Sequence, residues 1–128
     1  MTRGLADTSV FVARESGRPL SESDLPAELA VSVITVGELR AGVLAAPDVA
    51  TRVRRLDTFT RVLAFDPIPV DQSVAEAWAH VRVLLRDAGA RLAVNDSWIA
   101  ATALARGLPL VTQDADYVEL PDLQIIRV

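Results

Sequence analysis

The chain has 128 residues, 51% hydrophobic, 23% charged and 5% aromatic, which is the length of a single domain, 1–128, with apolar residues enough for an unaided core. With no cysteine, one histidine (His80) and thirteen basic residues that are all arginine, it has no means to form disulfides, thiolate sites, Schiff bases, a P-loop lysine or a histidine-rich metal site. The formal charge of −4 argues against a nucleic-acid partner only while every acid stays uncompensated, because bound divalent cations make an acidic face locally positive.

Arg3 to Ala6 reads as a short strand, followed by a helix from Asp7-Thr8-Ser9 to about Glu15 that Gly17-Arg18-Pro19 breaks. Ser21 to Leu25 reads as a short helix ended by Pro26. Leu29 to Val33 is an apolar, β-branched run of buried-strand type. The Thr35–Glu38 spacing is a capping box, predicting a helix to about Ala46. Asp48 restarts a helix to about Leu63, whose apolar side is predicted at Val49, Val53, Leu56 and Val62. After an extended link at 65–70, Asp71 caps a helix to about Ala88, with a stripe of Val74, Ala77, Trp78, Val81, Leu84 and Leu85. Gly89 ends it. Asn95-Asp96 opens a further helix to Arg106, closed by Gly107. Strands are predicted at 108–112 and 123–126, around a turn at 114–117. Strands alternating with helices predict an α/β fold, a parallel sheet covered on both faces. No apolar stretch reaches the roughly 18 residues of a membrane span. No charged and then apolar leader opens the chain, so a cytoplasmic location off the membrane is expected.

Four acids share one topological address. Asp7 follows the first strand, Glu38 the second, Asp96 starts a late helix and Asp114 follows the 108–112 strand. Open parallel sheets bind ligands at the carboxyl ends of their strands. Carboxylates gathered there repel one another unless a cation or protons intervene, and hard cations such as Mg²⁺ or Mn²⁺ choose oxygen ligands. Taken singly, each acid also reads structurally: Asp7, Asp96 and Asp114 as caps or helix-start acids, Glu38 as the partner in the capping box.

The residues around these acids carry a resemblance. Leu5-Ala6-Asp7-Thr8-Ser9 resembles the opening motif of PIN-domain nucleases. The run from Val33 to Gly42, with Gly37-Glu38-Leu39, resembles the second motif. Asn95-Asp96-Ser97-Trp98-Ile99-Ala100 resembles the third, and Leu110-Val111-Thr112-Gln113-Asp114-Ala115-Asp116-Tyr117 the fourth. The four stand in order over nearly the whole chain, and at this length it is most similar to the VapC-type toxins of bacterial toxin–antitoxin pairs. The resemblance implies a three-layer α/β/α fold with a central parallel sheet of about four to five short strands. It implies an endoribonuclease dependent on Mg²⁺ or Mn²⁺, with Asp7, Glu38, Asp96 and Asp114 as the catalytic acids. Asp7, Asp96, Asp114 and Asp116 are the implied metal ligands, with Asp116 ranked below Asp114, and Ser9 and Thr112 are hydroxyl auxiliaries. It further implies an RNA substrate such as tRNA or rRNA, a VapB-type antitoxin and a homodimer. A housekeeping RNA-processing PIN nuclease and a non-catalytic PIN-fold binding module are the alternatives.

The remaining polar and aromatic residues read mainly as structure. His80 lies mid-helix without a partner motif, and Trp78 continues an apolar stripe. Trp98 is read as core or interface, with base stacking as its functional alternative. Ala41, Gly42 and Ala45 are small residues suited to close packing beside the acids. Arg52, Arg54, Arg55 and Arg61 on one helix, and Arg82 and Arg86 on another, read as solvated faces or as phosphate-guiding or antitoxin-docking edges. A signalling receiver domain also gathers acids at strand ends, but it needs adjacent acids after the first strand and a late lysine, which this chain lacks.

Overall fold

The computed structural model describes residues 2–128. Four short strands, β1 (Arg3–Ala6), β2 (Glu28–Ala30), β3 (Leu110–Thr112) and β4 (Ile125–Arg127), pair in parallel in the order β2-β1-β3-β4. Parallel neighbours need crossovers, and these carry α1 (Thr8–Ser16), α2 (Val33–Leu44), α3 (Val49–Leu63), α4 (Gln72–Asp87) and α5 (Val94–Arg106). Successive strand side chains point to opposite faces. Leu5 and Leu110 accordingly pack with Val74 and Val81 of α4 and Ile99 and Ala103 of α5. Ala6 and Val111 pack on the other side with Val10, Phe11, Leu39 and Val62 of α1, α2 and α3. The sheet is thus the middle of three layers, as expected, with four strands.

The two central strands touch closely at Gly4. A Cβ there would stand 2.7 Å from Val111 Cγ2 and 2.9 Å from Pro26 Cγ, so only glycine fits. β1 and β3 are in register, Leu5 beside Leu110 and Ala6 beside Val111. Their carboxyl ends therefore deliver Asp7 and Thr112 to the same edge.

Three local expectations are corrected. The strand predicted at 29–33 ends at Ala30, because the Ser32 side chain accepts the Ile34 N–H at 3.0 Å and caps α2 from Val33. Thr35 is therefore inside the helix and fully buried, not its cap. In α3 the predicted apolar side is largely exposed, with Val49 at 73%, Val53 at 60% and Leu56 at 43%, and only Val62 is buried. The side that packs is Arg55, Phe59 and Val62, roughly 120° round the helix from Val49, Val53 and Leu56 at 100° per residue. Phe59 and Val62 join the core, and Arg55 lays its stem beside Gly42 and donates to the Gly42 carbonyl at 2.8 Å. Ala41 and Ala45, expected to pack beside the acids, are exposed.

Candidate active site

Asp7 leaves the end of β1 and caps α1, as its structural reading has it. It is 2% exposed, and three donors fix its carboxylate. Oδ2 accepts from the Ser9 N–H at 3.4 Å and the Thr112 hydroxyl at 3.0 Å, and Oδ1 accepts from the Tyr117 hydroxyl at 3.0 Å. With its proton given to Asp7, the Thr112 hydroxyl accepts from the Asp114 N–H at 2.9 Å and from the Ser9 hydroxyl at 3.2 Å. Ser9 in turn accepts the Gln113 N–H at 3.0 Å. These bonds stitch the end of β3 to the first turn of α1.

Glu38 lies half-buried in the second turn of α2. The Thr8 hydroxyl donates to its Oε1 at 2.7 Å and, that proton spent, accepts from Thr35 at 2.9 Å. Asp96 is in the first turn of α5, whose start has no side-chain cap. Asp114 is half-buried in the turn after β3, where its Oδ1 accepts the Asp116 N–H at 2.8 Å. Asp116 itself is exposed at the rim.

Burial, and after it the charge of Asp7, pushes the Asp96 carboxyl from its ordinary 3.8 up to about 6; Asp114 and Glu38 push the same way, and the Tyr117 hydroxyl opposes them. The structure thus brings Asp7, Glu38 and Asp114 within electrostatic reach of Asp96. None of the four joins an ion pair among the described residues. Nor do any three acids there close about one point as a finished ligand set. The donor chemistry nonetheless fits a hard divalent ion: oxygen ligands only, no cationic side chain to neutralise them, and one carboxyl already half-disposed to protonate.

Sequence reasoning missed Tyr117, Thr8 and Ser97. Tyr117 is 1% exposed, and burial and the charge of Asp7 raise its hydroxyl far above the ordinary range, so it remains a neutral donor. Its one signal was an aromatic beside two acids in a turn. Ser97, next to Asp96 in the chain, is buried and accepts the Trp78 indole N–H at 3.0 Å. Trp78 and Trp98 stack with ring centroids 4.6 Å apart and planes 7° apart, and both pack on the core. His80 is exposed.

The PIN domain family matches residues 5–123 of the chain. Ribonuclease VapC5 of Mycobacterium tuberculosis is 46% identical over 128 residues, covering 98% of this chain and 95% of that relative. Ribonuclease VapC4 of the same organism is 46% identical over 126 residues, covering 98% of this chain and 97% of its own. The crystal structure of VapBC-5 of M. tuberculosis, a member of the VapBC family of toxin–antitoxin systems, matches with a TM-score of 0.91 at 41% identity over 100% of both chains.

Proposed function

Since the chain belongs to the PIN-domain family, and by 46% identity over nearly its whole length to the VapC ribonucleases within it, we propose that it is a metal-dependent endoribonuclease. It hydrolyses RNA phosphodiester bonds as the toxin of a type II toxin–antitoxin pair. The observation that carries this reading is the meeting of Asp7, Glu38, Asp96 and Asp114 at the carboxyl ends of the strands, in no ion pair among the described residues, with Asp96 driven up to about 6.

Mg²⁺ or Mn²⁺, when bound, supplies Lewis acidity and a more acidic water. Asp7, Asp96 and Asp114 are the side chains proposed to hold it, with Asp116 at the rim. Asp7 is held still by Thr112 and Tyr117, so its oxygens need no reorganisation to serve as ligands. Glu38, oriented by Thr8, is the carboxylate proposed to accept the proton of the attacking water. Ser9 orients Thr112 and through it Asp7, the auxiliary role proposed for both hydroxyls.

The reading extends to a VapB-type antitoxin encoded beside the chain, in keeping with the VapBC assembly to which the structure is similar. Self-association has a surface to use, since Leu44, Val49, Val53 and Leu56 stand exposed on α2 and α3. No helix among the described residues is long and apolar enough to cross a membrane, and a cytoplasmic site of action is proposed with the RNA substrate.

The test is cleavage of total bacterial RNA by antitoxin-free protein, with Mn²⁺ or Mg²⁺ against chelator and with Asp96→Asn alongside. Discrete fragments that vanish with the chelator and fall at least a hundredfold, on the order of other lost transition-state groups, with Asp96→Asn are expected. Fragments made equally by the mutant would overturn the site assignment.

A further inference from the structure

A cleft of about 300 Å³ lies between the end of α4 and the start of α5, lined by Arg82, Leu85, Arg86, Arg91, Leu92 and Ser97, with no carboxylate in its walls. Three guanidiniums in one cleft invert the sign of a chain whose formal charge is −4. Among the described residues Arg82 and Arg91 form no ion pair, and Arg86 reaches only its chain neighbour Asp87, at 3.3 Å. Arg82 is held in place: its guanidinium stands 5.3 Å over the ring of Trp78, which stacks on Trp98 and donates to Ser97. Ser97 follows Asp96 in the sequence, so the cleft and the carboxylates share the first turn of α5. A second arginine-bearing cleft, between α1 and α3, holds Arg14, Arg54 and Arg61, but Glu15 and Asp57 line it too and Arg61 is paired with Asp57 at 3.1 Å. A third, between α2 and α3, holds Arg40 and Arg52 and no acid, but it has two arginines against three and shares no turn with the carboxylates at the start of α5.

We propose that Arg82, Arg86 and Arg91 bind a phosphate of the RNA backbone adjacent to the scissile one and so position the strand across the carboxylates. The inference rests on the ribonuclease reading. Four uncompensated carboxylates repel a polyanion, and a neighbouring cationic cleft offsets that repulsion where the strand must pass. The planar fork of arginine suits phosphate oxygens, and a stacked guanidinium is pre-oriented to bind them. Ser97 supplies a rigid floor, with its hydroxyl already committed to Trp78 and the Val94 carbonyl.

Backbone contacts carry no sequence information, so a fluorescein-labelled single-stranded RNA of mixed sequence is a sufficient probe. Its binding is followed by anisotropy without divalent ion across a salt series, with cleavage of total RNA in Mn²⁺ measured in parallel. The Arg82→Gln/Arg91→Gln variant is expected to bind about tenfold more weakly. The slope of log affinity against log salt is expected to fall by about 0.7, the value for one single-strand phosphate no longer neutralised. Arg82→Lys/Arg91→Lys, which keeps the charge, is expected to restore most of the slope. Unchanged affinity and slope in a glutamine variant with wild-type circular dichroism and melting would overturn the proposal. A lysine variant as impaired as the glutamine one would also do so, by showing a structural role. So would a glutamine variant that cleaves and binds RNA normally but no longer binds the antitoxin. Wild-type protein that neither binds the probe nor cleaves RNA would instead bring down the ribonuclease reading itself.

Discussion

Asp7 is the residue around which the site is built, and Tyr117 is its least replaceable support. Tyr117→Phe leaves the buried Asp7 Oδ1 without its 3.0 Å donor. A buried acceptor stripped of its partner costs about 1–3 kcal/mol, so denaturant unfolding of the variant should show a loss of that size, and cleavage should fall with it. Gly4→Ala acts by crowding: a Cβ at 2.7 Å from Val111 Cγ2 overpacks the β1–β3 contact, which costs about 1–3 kcal/mol and should appear as a lowered denaturation midpoint. Asp96 sets a pH dependence. Its carboxyl titrates near 6 in the folded chain against 3.8 ordinarily, so between those values the folded state holds a proton that the unfolded state has released. Stability of the metal-free chain should therefore fall as pH rises from about 4 through about 6, and level off above. Melting of wild type against Asp96→Asn over that range measures it, with the mutant expected to lack this slope.

At the scale of the element, the two faces of α3 make contrasting predictions. Val53→Ser, on the exposed side, should change monomer stability by no more than about 0.5 kcal/mol. Val62→Ala, on the buried side, should cost about 2 kcal/mol; thermal melts of the pair distinguish them. The reason α3 misled is physical. Periodicity reports which residues are apolar, not which neighbour the helix meets, and here Arg55 covers Gly42 with its stem while three aliphatic residues face outward. The succession of helices along the chain was legible because glycines at 17, 89 and 107 adopt positive φ at helix ends and because Asp7, Asp48 and Asp71 cap helices with their own side chains. The places of Asp7, Asp96 and Asp114 were legible for the same reason, since each sits at an element boundary that local chemistry marks; Glu38, in the second turn of α2, was marked by the motif around it and not by a cap. Thr8 and Tyr117 were not, since a hydroxyl finds its acceptor only through packing, 30 residues away for Thr8 and 110 for Tyr117. Thr35 was misassigned because Ser32, three residues earlier, takes the cap.

For the whole molecule, the proposed metal site predicts that metal is tied to folding. An ion that binds only the folded chain stabilises it by about 2.7 kcal/mol at a hundredfold excess over its Kd. Mn²⁺ should therefore raise the melting temperature of the wild type, chelator should reverse the rise, and Asp96→Asn should blunt it. The three-layer fold places helices on both faces of the sheet and leaves the carboxyl ends of its strands open for the proposed chemistry.

Asp7 takes one hydroxyl from Thr112 and another from Tyr117, partners 105 and 110 residues further along. During translation the opening motif is made first and waits for almost the entire chain. A ribosome still extending α4 carries an aspartate with neither of those donors and no Asp96 or Asp114 beside it. On the proposed reading, cutting power is thus a late acquisition in the life of each molecule, gained only when the last quarter of the polypeptide has laid β3 along the free side of β1. A cell making this protein has that interval in which to meet it unarmed.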